Sequence, residues 1–305
     1  MKRKDNRSVE KCKLLYRFKK QGIAWAMLIP FLACLILFVW QPNIQGIILS
    51  FFNLKGYEPI DFCGFKNYEI VIKNTNFMKT LWNTVQYVLW SVVVGYLVPV
   101  VLAIIVNELR RMSGVLKFVY YLPAMVPTIA VSMLWYYIYY GGEGGLLNML
   151  LSFLGVAPVG WLDNANTTIL MIIISVTWKG FGATMLIYLA ALQSIDKNLY
   201  EAAAVDGASV WHRIRYITIP EMSGILMLNF IRQIIAVFQI VQEPLTMTGG
   251  GPNGASATLG LLAYNYAFKY YKIGNSLATN VIMLVLLMVL TLIYQIIDKK
   301  YSDDV

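Results

Sequence analysis

Charged residues make up only 13% of this 305-residue chain, about half of the roughly 25% that a soluble domain carries. A chain so poor in polar groups cannot cover a globule of this size with water-compatible surface. Histidine occurs once, at His212, which excludes His-rich metal chemistry and leaves little for acid–base catalysis. The three cysteines, Cys12, Cys34 and Cys63, show neither C-x-x-C spacing nor an even count. A disulfide framework and a zinc site are both unsupported, and no metal site is expected. Gly-Lys does not occur anywhere, so the phosphate-cradling G-x-x-x-x-G-K-[ST] loop is absent. The segment "TGGGPNG" (248–254) has the glycines without the lysine or a preceding buried strand. It reads as an outer-loop turn built on Gly249, Gly250, Gly251 and Pro252. The alternating segments of about ten residues that build membrane barrels are also missing.

What is present is apolar length, with 58% hydrophobic residues. Six runs are long enough for the roughly 20 helical residues that cross a bilayer core. They lie near 22–42, 81–106, 115–139, 168–192, 223–243 and 275–297; the fifth is the least apolar. The expected fold class is all-α, a polytopic membrane protein with six transmembrane helices. The net charge of +9 does not imply nucleic acid, because the basic residues lie between apolar runs rather than in a patch. Their placement sets orientation instead. Nine precede the first run, and Arg110, Arg111, Lys117, Lys197, Arg213, Arg215, Lys299 and Lys300 fall on the same side. The opposite side holds six. Both termini are expected in the cytoplasm, with a basic leader over 1–21, a membrane domain over 22–297 and a tail over 298–305. "FLAC" (31–34) resembles a lipoprotein cleavage site, but the apolar run continues to Trp40, longer than a signal core of about 7–15 residues. The long outer segment 43–80 is expected to form a short folded cap. Lipid is the expected surrounding.

The cytoplasmic loop over 193–222 breaks the apolar pattern with "EAAAVDGAS" (201–209). Ser194 is a plausible N-cap with Asp196 in the first turn, where negative charge suits the helix dipole. Asp206-Gly207 can close that helix, since glycine takes the left-handed conformation without penalty. Ser209 can cap a second helix through Trp211 and Tyr216, ending near Pro220. The result is a helix–turn–helix elbow on the inner membrane face. Ala202, Ala203 and Ala204 allow close approach of another surface, Glu201 and Asp206 offer carboxylates, and Trp211 and Ile214 offer apolar anchors. By residue chemistry, docking into a cytoplasmic protein and resting on lipid headgroups fit equally.

Polar groups inside the spans are costly, about 3 kcal/mol by insertion scales, and usually face protein or a water cavity. In the fifth run Arg232, Gln239 and Glu243 fall within a narrow arc of a continuous helix, flanked by Asn229, Gln233 and Gln242. The stripe suits a translocation path whose amides and charges bind a polar cargo. The competing reading has Arg232 and Glu243 snorkelling at the two ends while the glutamines bond neighbouring helices. Lys179 falls near the middle of the fourth run, and Trp178, Tyr188 and Trp135 are aromatic candidates for stacking on that cargo.

"EAAAVDGAS" followed by "ITIP" (217–220) resembles the EAA loop of ABC-transporter permeases, the membrane subunits of binding-protein-dependent importers. The chain as a whole is similar to the carbohydrate-uptake permeases related to the maltose transporter. The likeness includes "GFKNYEIV" (64–71), "LPAMVPTIAVSMLW" (122–135), "TMTGGGP" (246–252) and "YNYAFKYYKIGNSLAT" (264–279). Two positions depart from the family pattern: Ile214 stands where phenylalanine is common, and Gly224 where a second proline is. The resemblance implies a type I importer permease fold, with Glu201, Ala202, Ala203, Asp206 and Gly207 docking into an ATPase groove. It further implies a second homologous permease, two ATPase subunits that hold ATP and magnesium, and an extracytoplasmic binding protein that delivers a carbohydrate. No cofactor is expected in this chain, which would be a transport subunit rather than an enzyme. Of the rivals, a secondary carrier needs ion-coupling acids and usually an internal repeat, and a membrane enzyme needs a convergent set of acids and histidines. A permease for a non-sugar solute shares the EAA core.

Overall fold

The computed structural model describes residues 22–108 and 113–302. The expected leader, Arg110, Arg111 and the last three residues lie outside that range. Four helices are long and apolar enough to cross a membrane, six if each of two bent pairs is one span. In chain order they are α1 (Ala24–Leu49), α3 (Phe77–Glu108), the pair α4 (Gly114–Met125) and α5 (Thr128–Ile138), α7 (Thr168–Ser194), the pair α9 (Val210–Glu221) and α10 (Ser223–Phe238), and α13 (Ile273–Ser302). The cap carries a two-stranded hairpin, β1 (Phe52–Lys55) with β2 (Glu58–Phe62), and helix α2 (Lys66–Ile72). Shorter helices are α6 (Leu146–Ser152), α8 (Lys197–Val205), α11 (Gln242–Met247) and α12 (Leu259–Tyr264).

Several span limits differ from the sequence expectation, and proline accounts for most of the differences. α1 continues to Leu49 rather than stopping near 42. Pro42 has no N–H for the carbonyl of Phe38, and that carbonyl lies in a π-helical turn, Ile36–Trp40, which absorbs the mismatch. The same device recurs at Ser91–Tyr96 before Pro99 and at Ile214–Thr218 before Pro220. Pro220 therefore does not end its helix, which runs on to Glu221. The third span is not one rod. Pro123 and Pro127 bracket a turn where the halves bend by 97°.

Among the described residues the core forms three clusters, the third of them at the elbow. Val71, Phe238 and Leu259 belong to the first, Tyr87, Ile172 and Ile173 to the second, and Met185, Leu189 and Met222 to the third. Lipid offers no hydrophobic gain for helix association, so close approach of small residues must supply it. Gly182 on α7 does so against α4, where an added Cβ would sit 1.8 Å from the Tyr120 carbonyl oxygen. By contrast, the most apolar stretch of α1 has no buried residue. Its last turns meet α13, where Gly46 approaches Leu277.

The segment between α1 and α3 is a folded cap, as the sequence suggested. Asn67, 5% exposed, donates from Nδ2 to the carbonyls of Ser50 and Phe52, both at 2.9 Å. Asn74 reaches the hydroxyl of Tyr266 at 2.8 Å, which ties the cap to the segment before α13. The quoted motifs around residues 67 and 266 are thus structural fasteners.

Candidate functional site

The first helix of the elbow between α7 and α10 is closed at both ends by the elbow's own residues. Asp196, not Ser194, is the N-cap of α8: its Oδ1 accepts from the Asn198 amide at 2.9 Å. Ser194 is still inside α7 and bonds back to the Ala191 carbonyl. At the other end Gly207 takes φ +77°. Its amide reaches the Ala204 carbonyl at 3.1 Å, and the Ala208 amide reaches the Ala203 carbonyl at 2.9 Å. This paired closure requires a left-handed residue after the helix, which glycine supplies. Ser209 caps α9 as expected, accepting from the His212 amide, and its hydroxyl also meets His212 Nδ1 at 2.8 Å.

The elbow is held to the membrane helices by Ile195 and Met222, both buried, and by a hydrogen bond of 2.9 Å between the Tyr200 and Thr218 hydroxyls. Glu201, Ala202, Asp206 and Gly207 are exposed and Ala203 is half-buried. Beside them Val205 is 88%, Trp211 66% and Tyr216 67% exposed, while Ile214 is half-buried. An apolar surface of this kind rimmed by carboxylates marks a protein or membrane contact. Beneath it lies a pocket of about 580 Å³, which Glu108, Lys197, Glu201 and Arg213 line.

The polar residues of the fifth span converge, but not as a stripe on one helix. α10 ends at Phe238, Gln239 caps it, and a new helix starts at Gln242. The break has a local cause. Pro244 cannot donate to the Ile240 carbonyl, which the Thr258 hydroxyl fills at 2.7 Å. Gly260 allows this approach, since a Cβ there would meet Val241 Cγ2 at 2.6 Å. The bend turns Gln239, Gln242 and Glu243 into a cavity of about 410 Å³ that Gln233 also lines. A second cavity of about 380 Å³ lies nearer the elbow and takes in Asn229, Arg232, Gln233 and Tyr188. Asn229 is buried and donates to the Ile225 carbonyl of its own helix.

Trp178 and Lys179 line neither cavity. Trp178 is half-buried and packs edge-on against Trp135 at 5.8 Å, so both belong to an aromatic cluster that includes Tyr139. Lys179 lies within electrostatic reach of Glu243. Gly95 and Tyr96 of α3 and Thr177 and Thr184 of α7 were missed by the sequence reading yet face these cavities. Their only signal was a glycine and isolated hydroxyls inside apolar runs.

The expected turn at Gly249, Gly250, Gly251 and Pro252 is a clamp. Gly249 and Gly250 take φ +60° and +90°, and Ser256 bonds through Oγ to the Gly251 carbonyl at 2.6 Å and to Thr248 Oγ1 at 2.7 Å. α3 holds the clamp from the side: Asn83 donates to the carbonyls of Gly254 and Ala257, and Tyr87 to that of Ser256.

A family profile described as "Binding-protein-dependent transport system inner membrane component" matches residues 95–303. The trehalose/maltose transport system permease protein MalF of Thermococcus litoralis is 33% identical over 292 residues, covering 95% of this chain and 98% of that one. The arabinooligosaccharides transport system permease protein AraP of Bacillus subtilis is 29% identical, over 94% and 92% of the two chains. The fold is also that of a chain in the crystal structure of a bacterial ABC transporter involved in alginate import. There the TM-score is 0.82 at 23% identity, over 94% of this chain and 99% of that one.

Proposed function

The chain belongs to the family of binding-protein-dependent transport system inner membrane components, and on that premise we propose that it is the permease subunit of an ATP-driven importer of a carbohydrate, of oligosaccharide size. As a multi-pass membrane component of such a system it is a transport subunit, not an enzyme. Two separate ATPase subunits bind and hydrolyse ATP with magnesium. A second, homologous permease covers the unburied face of α1 together with lipid, and an extracytoplasmic protein delivers the sugar at the cap end. Both termini then lie in the cytoplasm, the leader over 1–21 and the tail over 298–305 included.

One observation carries the reading: the elbow presents a self-closed, largely exposed surface between two membrane spans. Glu201, Ala202, Ala203, Asp206 and Gly207 make the contact with the ATPase. Closure of the ATPases on ATP draws the two elbows of the permease pair together and opens the path toward the cap; hydrolysis resets it. The sugar passes the cavities beside α10. Asn229, Arg232, Gln233, Gln239, Gln242 and Glu243 offer amides and charges to its hydroxyls, with Lys179 of α7 within electrostatic reach of Glu243. The names of the trehalose/maltose and arabinooligosaccharide relatives support the choice of cargo.

The test is uptake of radiolabelled trehalose, maltose and arabino-oligosaccharides by the complete complex in proteoliposomes, with and without its ATPase subunits. Uptake should require ATP and the ATPases. Transport without an ATPase subunit would falsify the reading, as would cleavage of the elbow by protease added outside intact cells.

A further inference from the structure

The two cavities beside α10 share four lining residues, Gly95, Thr184, Gln233 and Ala236. These four therefore form a neck between a chamber toward the cap, which holds Gln242 and Glu243, and a chamber toward the elbow, which holds Arg232 and Tyr188. Gly95, Thr184 and Ala236 are small. Only Gln233 has a side chain long enough to change the opening by rotating.

Gly95 lies directly against it. A Cβ added at Gly95 would fall 2.6 Å from Gln233 Nε2 and 3.3 Å from Thr177 Oγ1. Both are closer than ordinary van der Waals contact, so the missing methyl is what makes room for the amide. The position also sits in the π-helical turn Ser91–Tyr96, a local widening that recurs at functional sites in other helices. Pro99 explains why the turn is irregular there, since it leaves the Gly95 carbonyl without its usual donor.

We propose that Gln233 is the gating side chain at the narrowest point of the path and that Gly95 sets its width. The proposal rests on the reading of these cavities as the path. The atom that a methyl at position 95 would meet first is the far end of a flexible side chain, not backbone. Gly95→Ala therefore displaces the Gln233 amide and leaves the fold intact; alanine is also the better helix former. A glutamine can swing between rotamers at modest cost, and its amide can bond to a passing hydroxyl. That suits a polar, uncharged cargo better than an ion, which would need a fixed shell of charge.

The experiment uses thiol labelling in intact cells that carry the full chain with its native partner subunits, with Cys12, Cys34 and Cys63 replaced by serine. The probe is 2-sulfonatoethyl methanethiosulfonate, whose charge keeps it out of lipid, added outside. Gln242→Cys reports the chamber toward the cap and Arg232→Cys the chamber toward the elbow. Gln242→Cys should label about tenfold faster, the ratio expected if Gln233 must leave its rotamer to let the reagent by. Adding Gln233→Ala should erase the gap, adding Gly95→Ala should widen it, and the two together should close it again. Equal rates with the native neck, or a gap that Gln233→Ala leaves unchanged, overturns the proposal. A reversed order that still responds to Gln233→Ala upholds the neck and instead defeats the cap-outside orientation. Should Gly95→Ala not reach the membrane, the Gln233→Ala comparison alone decides.

Discussion

The two ends of the fifth span are built by opposite strategies. At the cap end the chain after α10 folds into a clamp whose carbonyls are taken by Asn83, Tyr87 and Thr258, all on or against buried surface. At the elbow end the capping bonds come from neighbouring residues of the same loop, and one side-chain bond, Tyr200 to Thr218, crosses between its helices. The clamp is finished by this chain. The elbow leaves Val205, Trp211 and Tyr216 exposed. The two ends differ in this way: the clamp meets its polar groups from separate elements, whereas the elbow caps itself and keeps large apolar side chains on its surface.

The sharpest break of that contrast is Gly207→Pro. Proline fixes φ near −65°, against +77° here, so the turn after α8 must re-form and the docking face moves. Misplacement on the ångström scale costs up to about a hundredfold in coupled rate. Sugar uptake should fall by that order while the amount of chain in the membrane stays unchanged, read by immunoblot. At the clamp the effect should move to stability. Asn83→Ala combined with Tyr87→Phe leaves three carbonyls without these donors, at about 1–3 kcal/mol for each group that stays buried and unmet. The thermal midpoint of the purified complex should drop, with uptake lost only as the protein unfolds. Unchanged melting would remove the distinction drawn above.

Ser209→Ala should be milder. It deletes the cap of α9 at about 1 kcal/mol, so hydrogen exchange at residues 210–213 should quicken with little change in global melting. The smallest effect belongs to the cap surface. Lys73 and Glu69 pair at 2.6 Å with both side chains mostly in solvent, and the lysine holds the Glu69 carboxyl below its usual range, through their hydrogen bond first and charge second. A depressed carboxyl contributes only above its unfolded pKa, and an exposed pair contributes little. Lys73→Ala should leave melting at neutral pH unchanged; a clear drop would mean that the cap is more tightly coupled to the spans than its exposure indicates.

The elbow was the most legible part of the site. Its glycine turn and the Ser209 cap depend on residues within a few positions of each other, and the structure keeps both. The first cap differs from the expectation: Ser194 extends α7, and Asp196, expected in the first turn, is the cap because the chain turns extended there. The cavity residues do not meet by helical spacing. A continuous helix would put Arg232, Gln239 and Glu243 on one face, yet α10 stops at Phe238. Gln239 and Glu243 reach the cavity because the chain bends, and the bend needs Thr258, eighteen residues away from the carbonyl it fills. Trp178 shows the reverse case: its aromatic ring suggests stacking on the cargo, and a neighbouring tryptophan takes that ring instead.

By itself the sequence determined six apolar runs and a charged elbow between the fourth and fifth, because membrane insertion and helix capping are decided by short-range composition. Which crossings are broken was decided in part by proline. Where the polar groups meet, which glycine admits Gln233, and which turn becomes a clamp were decided only by tertiary packing. Each of those depends on atoms from separate spans filling or leaving a single position, and no local pattern along the chain encodes that.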